Sequence, residues 1–278
     1  MTEDLKLRRR VLPLLAGLPL LLAGRSAKAE KGQAEVRLDG TEELSLPSDM
    51  GDFVIRIAYP EAPAPAGGYG VIYALDAGWS FGTLRDAVRL RGQDPARADA
   101  APVAVVAIGW PARDLVDMAR RTQDLTGAGV ERLLGWMKAV LMPEIETRFA
   151  CDPAQRMICG HSFGGSFALQ ARRLAPGLFS HVAAGSPSIW TDPQALLGAA
   201  KGEGKLFITI GGQETAHAAE AAHQPADRVA RIRERDMMGR ARQLAEGAGV
   251  PLKIYDGLSH GASATPFYAD AVSFLRQA

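Results

Sequence analysis

Gly160-His161-Ser162-Phe163-Gly164 constrains this chain more than any other stretch. The apolar run Met157-Ile158-Cys159 before it reads as a buried strand. After it, the segment 163–174 places Phe167, Leu169, Ala171 and Leu174 where a helix packed on a sheet would want them. The pattern is strand, tight turn, helix, with a serine between two glycines at the turn. A serine there sits on strained backbone that lifts its Oγ clear of the sheet, and any side chain at 160 or 164 would strike a neighbouring strand or helix. The helix N-terminus aims unsatisfied N–H groups and a positive dipole end at the place where an oxyanion would form. A Gly-rich packing turn with a passive serine is the alternative, and the flanking strand and helix argue against it.

The rest of the chain supplies a scaffold of the kind such a turn needs. Strands are predicted at 33–38, 52–59, 71–75, 101–108, 181–186, 205–210 and 252–255. Helices are predicted at 81–90, at 130–149 with a bend at Pro143, at about 226–246 and at 267–275. Residues 60–70 read as a Pro/Ala/Gly loop, and 114–127 as a polar excursion without a clear period. Alternating strands and helices predict an α/β fold, a mostly parallel sheet covered by helices on both faces. No repeat or second composition regime divides it, so residues 30–278 read as one domain.

Residues 1–29 read as an export signal. Arg8-Arg9-Arg10 precede an apolar run from Val11 to Ala23, and Ala27-Lys28-Ala29 is a small-residue cleavage site. The paired arginines permit either the Sec or the twin-arginine route, and the mature chain is expected to be exported and periplasmic. The apolar run is short and holds Pro13 and Pro19, so no membrane span is expected once the signal is removed. Without those residues the chain has 26 basic and 29 acidic side chains, a mildly acidic body that gives no support for nucleic-acid binding. An oxidising compartment permits a disulfide between Cys151 and Cys159, the only two cysteines, although a small buried apolar residue is the better reading of Cys159. No Cys/His spacing suggests a metal, and no cofactor is expected.

A serine alcohol needs a base, and a histidine is the natural one. Among five histidines, His260 alone lies in a loop just past a strand's C-terminal end, where sites gather in open α/β sheets. Its flanking sequence Gly257-Leu258-Ser259-His260-Gly261 allows a compact turn. The base needs an acceptor that holds its tautomer. Glu214, after the strand 205–210 and between Ser162 and His260 in chain order, is the first choice; Asp192 and Asp256 compete, and a serine/histidine pair without an acid stays open. The oxyanion donors expected are the N–H of Phe163 and one from Ala77 or Gly78, just after the strand 71–75. Trp79, Trp110 and Trp190 follow strand ends and could line a pocket, whereas Trp136 reads as helix packing. Arg120 and Arg121 are a solvated pair by default, yet a guanidinium near the site would attract an anionic substrate.

Together these residues resemble the esterase-D-like branch of the α/β-hydrolases, especially bacterial siderophore esterases that open trilactone or ester-linked ferric catecholate siderophores. The resemblance lies in Val-Ile-Tyr-Ala-Leu-Asp-Ala (71–77), Ile-Gly-Trp-Pro (108–111), Arg121 with Asp124-Leu-Thr126, the turn at 160–165, Ser-Pro-Ser-Ile-Trp (186–190) and Ser-His-Gly (259–261). The family commonly has Gly at Ala77, a second aromatic at Thr191 and Pro at Gly127. The resemblance implies a serine ester hydrolase working through an acyl-enzyme on a small-molecule ester. It matches Gly78 to the second oxyanion donor and Arg121 to a substrate-side position. Acyl transfer on the same fold and an exported binder without turnover are the other functions it leaves open. Oligomeric state is not legible.

Overall fold

The computed structural model describes residues 37–93, 101–112 and 115–276. The export segment and residues 33–36 of the first predicted strand lie outside these, and residues 37 and 38 are not in a strand. Everything below belongs to the unit Gly40–Ala278.

Eight strands form one sheet in the order β1-β2-β4-β3-β5-β6-β7-β8. They are β1 (Thr41–Leu46), β2 (Phe53–Ala58), β3 (Tyr69–Leu75), β4 (Val103–Gly109), β5 (Cys151–His161), β6 (His181–Gly185), β7 (Lys205–Gly211) and β8 (Leu252–Tyr255). The pairs β1/β2 and β2/β4 are antiparallel, and the other five are parallel. The mostly parallel sheet expected from the sequence is therefore present. All of Val-Ile-Tyr-Ala-Leu in β3 and every residue of β4 are buried, as strands covered on both faces require. β1 escaped the sequence reading. Its Thr-Glu-Glu-Leu-Ser-Leu is half exposed at the sheet edge, where charge replaces the apolar run of a central strand.

The helices are α1 (Ala77–Gly92), α2 (Met118–Leu125), α3 (Gly129–Trp136), α4 (Met142–Arg148), α5 (Phe163–Leu174), α6 (Pro193–Gly198), α7 (Ala216–Ala221), α8 (Ala226–Arg235), α9 (Met237–Ala248) and α10 (Ala264–Leu275). Side chains alternate through the sheet into two cores. Val71, Tyr73 and Leu75 join the core under α3, α5 and α9, while Ile72 and Ala74 meet Phe81, Leu84, Phe267 and Tyr268 of α1 and α10.

Three expectations need correction. The segment 114–127 contains α2, whose buried positions are Arg121, Asp124 and Leu125, so an apolar-period test could not find it. Pro143 does not simply bend one helix. A π-helical turn at Met137–Leu141 widens the backbone between α3 and α4, which accommodates a ring that would otherwise meet the carbonyl four residues back. The long helix at 226–246 is two helices, broken at Asp236, whose left-handed backbone (φ 41°, ψ 52°) ends α8 while its carboxylate accepts from the Gly239 N–H to start α9. Cys159 is buried and free, in line with the preferred reading of it, and Cys151 is free as well. They sit at the beginning and near the end of the same strand, roughly 25 Å apart at strand rise, far beyond disulfide reach.

Candidate active site

The turn at 160–164 has the strand–turn–helix setting its sequence implies, with β5 ending at His161 and α5 starting at Phe163. Ser162 takes φ 60° and ψ −119°, a conformation L side chains rarely adopt. Close approach explains the first glycine, because a Cβ on Gly160 would lie 2.4 Å from the Gly164 carbonyl carbon. The Ser162 N–H donates to the Gly185 carbonyl of the neighbouring strand (2.9 Å), which anchors the strained residue from behind.

Ser162, Glu214 and His260 all border one cavity of about 590 Å³. Glu214 is buried, and each of its oxygens is engaged. Oε1 accepts from the Gly211 N–H (2.8 Å) and the Ser186 hydroxyl (2.6 Å), while Oε2 lies 2.6 Å from His260 Nδ1. A carboxylate so held keeps the proton of a neutral His260 on Nδ1 and leaves Nε2 as the basic nitrogen. Neither Asp192 nor Asp256 holds this place: the Asp192 carboxylate caps α6 through the Ala195 N–H, and Asp256 is exposed in the turn after β8. Ser162 Oγ itself lies 3.4 Å from Ser188 Oγ.

Beneath His260 lies polar machinery that the sequence did not announce. His161 is buried, its ring centre 4.8 Å from that of His260. Ser263 donates from Oγ to the His260 carbonyl (2.9 Å), so its oxygen must accept from His161 Nε2 at 3.2 Å, which selects the Nε2–H tautomer. The Ser186 and Ser263 oxygens approach within 3.2 Å, but with the Ser186 proton on Glu214 and the Ser263 proton on the His260 carbonyl that contact carries no hydrogen bond. Ser186, Ser188, Ser263 and His161 carry no individual signal; only the placement of two of them in the Ser-Pro-Ser-Ile-Trp run marked them.

Burial, with the nearby His260 and Arg121 charges, pushes the His161 imidazole down to about 3, and burial with Lys205 pushes His181 down to about 4. The sign follows directly. Both rings stay neutral in the folded state but take up protons in the unfolded chain below the ordinary imidazole value of about 6.5. Stability is therefore full above pH ~6.5 and falls as the pH drops, by roughly 2–3 kcal/mol for each ring at pH ~4. Thermal melts between pH 7 and 4.5 check this: His181→Gln should flatten the acid slope, and a wild-type melting temperature constant down to pH 5 would refute it.

Arg121 is placed differently from its sequence reading. It borders the cavity, but its guanidinium forms a buried bidentate pair with Asp76, Nε to Oδ1 at 2.6 Å and Nη2 to Oδ2 at 2.9 Å. Nη2 also donates to the His161 carbonyl at 3.2 Å. Burial raises the Asp76 carboxyl above its usual range, and the hydrogen bonds and charge of Arg121 oppose that rise. Arg121 therefore braces the end of β5 with a charge already matched, and is not an unpaired attractor of substrate. Arg120 pairs with Asp124, which also accepts from Trp110 Nε1 at 2.9 Å, so Trp110 serves the scaffold. Trp136 packs on Phe53 and donates to the Pro47 carbonyl.

Of the remaining residues, Phe163 and Trp190 border the cavity. The Phe163 N–H is the first of α5 and has no intrahelical acceptor. Ala77 and Gly78 open α1 immediately after Asp76, whose Oδ2 would lie 3.1 Å from a Cβ on Gly164. That puts the start of α1 beside the turn, although Ala77, Gly78 and Trp79 stand outside the described cavity walls. Gly78 must be small, since a Cβ there would lie 1.9 Å from the Leu115 carbonyl oxygen. Trp79 covers the Arg121 guanidinium at 5.1 Å instead of lining the cavity.

The chain is 34% identical over 178 residues to the ferri-bacillibactin esterase BesA of Bacillus subtilis (strain 168), covering 56% of this chain and 61% of that one. It is 30% identical over 182 residues to the siderophore triacetylfusarinine C esterase of Aspergillus fumigatus, covering 60% and 62%. It thus spans about three-fifths of the length of these curated relatives. The solved siderophore hydrolase EstB from Aspergillus nidulans superposes with a TM-score of 0.74 at 23% identity, covering 88% of this chain and 98% of that one. The BES protein from Bacillus cereus does so with 0.72 at 24%, with the same coverage. The fold is the α/β-hydrolase fold. Residues 49–244, most of the chain, match the family described as Putative esterase, and the chain belongs to that family.

Proposed function

We propose that this protein hydrolyses carboxylic esters through an acyl-enzyme on Ser162, with siderophore-type esters as its substrate class. The observation that carries the reading is the buried Glu214 held on His260 Nδ1 at 2.6 Å, beside a serine at φ 60° on the same cavity. Ser162 Oγ attacks the ester carbonyl as its proton passes to His260 Nε2, and the oxyanion is received by the N–H of Phe163 and that of Ala77 or Gly78. The intermediate collapses, the alcohol leaves with the proton from His260, and the acyl group stays on Ser162. Water then attacks that acyl-enzyme by the same proton path and releases the acid. The substrate class is supported by what the relatives' names say of those relatives, and by a cavity whose volume suits a ligand of intermediate size. Export is supported by the composition of residues 1–29.

The test combines a fluorophosphonate probe with an ester panel that includes ferric siderophore lactones. Labelling of wild type on Ser162, with chromatographic release of hydrolysed siderophore, is the expected result. A protein that binds the siderophore but leaves Ser162 unlabelled and the ester intact would overturn the reading.

A further inference from the structure

Helix α8 (Ala-Asp-Arg-Val-Ala-Arg-Ile-Arg-Glu-Arg) is inserted between β7 and α9, and Val229 is its only buried residue. A helix so exposed is not shaped by packing, so the positions of its charges need another account. Arg228, Arg231 and Arg235, spaced to share one helix face, border the cavity that holds Ser162 and His260, with Ile232 between them. Arg233 does not border it and pairs with Glu220. Trp190 holds one of the three in place: the Arg235 guanidinium lies 4.2 Å over its ring, whose centre is 6.1 Å from that of Phe163 at the start of α5.

The described walls carry nothing to balance these charges. Their only carboxylate is Glu214, and its oxygens are committed to His260, Ser186 and Gly211. Arg121, the fourth guanidinium, is matched by Asp76. Arg231 does meet Asp227 at 2.6 Å, but both side chains are more than half exposed, so that pair is weak and water-screened and leaves the guanidinium free to turn toward a ligand. A cavity whose uncommitted wall charges share one sign raises the local concentration of ligands of the opposite sign.

From this wall we infer that the ester carries negative charge on a part away from the scissile carbonyl, and that Arg228, Arg231 and Arg235 select for it. Trp190, Phe163, Ile232 and Met237 offer apolar surface beside the guanidinium groups, so the preferred ligand joins an anionic group to an apolar body. These three arginines are specificity residues; none touches the reacting atoms. The inference rests on the ester-hydrolase reading above and refines its substrate.

The experiment compares two p-nitrophenyl esters of equal acyl length, the neutral hexanoate and the anionic mono-adipate, on the full chain. Wild type should favour the adipate in kcat/KM by on the order of tenfold at low salt, with the ratio shrinking as sodium chloride is added. In R228Q/R231Q/R235Q the ratio of the two esters should fall to about one or below. R233Q, on the same helix but away from the cavity, should keep the wild-type ratio. A triple variant that retains the wild-type ratio, or a ratio indifferent to salt, overturns the charge reading while hydrolysis of the hexanoate leaves the esterase reading intact. Cleavage of neither ester, with no fluorophosphonate labelling, overturns the esterase reading itself.

Discussion

In Ser162→Ala protein, turnover of every ester should fall by about four orders of magnitude or more, because the nucleophile, and not merely a binding contact, has gone. The fold should be unaffected: alanine must adopt the same φ of 60°, so it neither adds nor relieves strain. Ser162→Gly separates the two effects. It should be equally inactive yet melt higher than wild type, since glycine removes the Cβ responsible for a backbone cost of about 1–3 kcal/mol. Glu214→Gln tests the orientation of the base. The amide oxygen can still accept from Gly211 and Ser186, but its NH2 then faces His260 Nδ1 and drives the ring proton to Nε2, where it blocks transfer from Ser162. A loss on the order of 10⁴ in kcat is expected from that wrong tautomer. Near-wild-type rates in Ser162→Ala would end the acyl-enzyme mechanism, and near-wild-type rates in Glu214→Gln would reduce the site to a serine/histidine pair.

The largest stability effect belongs to the buried pair of Asp76 and Arg121. Asp76→Asn keeps a residue type that tolerates the left-handed backbone (φ 62°) but strips the countercharge from an arginine that is 2% exposed. Breaking one partner of a buried ion pair costs about 3–5 kcal/mol, because the survivor is left charged and without its partner. The melting temperature should drop by on the order of 10 °C. The double change Asp76→Asn/Arg121→Met should cost less than the two single changes added together, since it leaves no lone charge. Arg121 also supports the His161 carbonyl, one residue before the nucleophile, so Asp76→Asn should lower kcat as well as stability. A variant melting with wild type would show that the pair does not hold the end of β5 in this way.

Legibility followed chemistry that is local in the chain. Gly160 and Gly164 declared the tight turn at Ser162 because steric exclusion there is written in neighbouring residues, and β3 and β4 declared themselves as unbroken apolar runs. His260 and Glu214 could be named from chain order and from their places after strand ends, and the structure brings both to the cavity that Ser162 borders. Helix α2 stayed hidden because its buried face carries Arg121 and Asp124, which are satisfied by Asp76, Arg120 and Trp110 from elsewhere in the chain or the helix. β1 stayed hidden because an edge strand can be polar.

By itself the sequence determined the sheet-and-helix alternation, the strained serine and the candidates for its base and acid, since each depends on residue type and short-range spacing. Tertiary structure alone decided that Arg121 is matched by Asp76, that Ser186 holds Glu214 while His161 and Ser263 support His260, and that three arginines of α8 border the cavity. The reason is physical. A charged side chain reads the same in sequence whether it is solvated, paired or aimed at a ligand, and only the partners that folding brings within a few ångströms tell these apart.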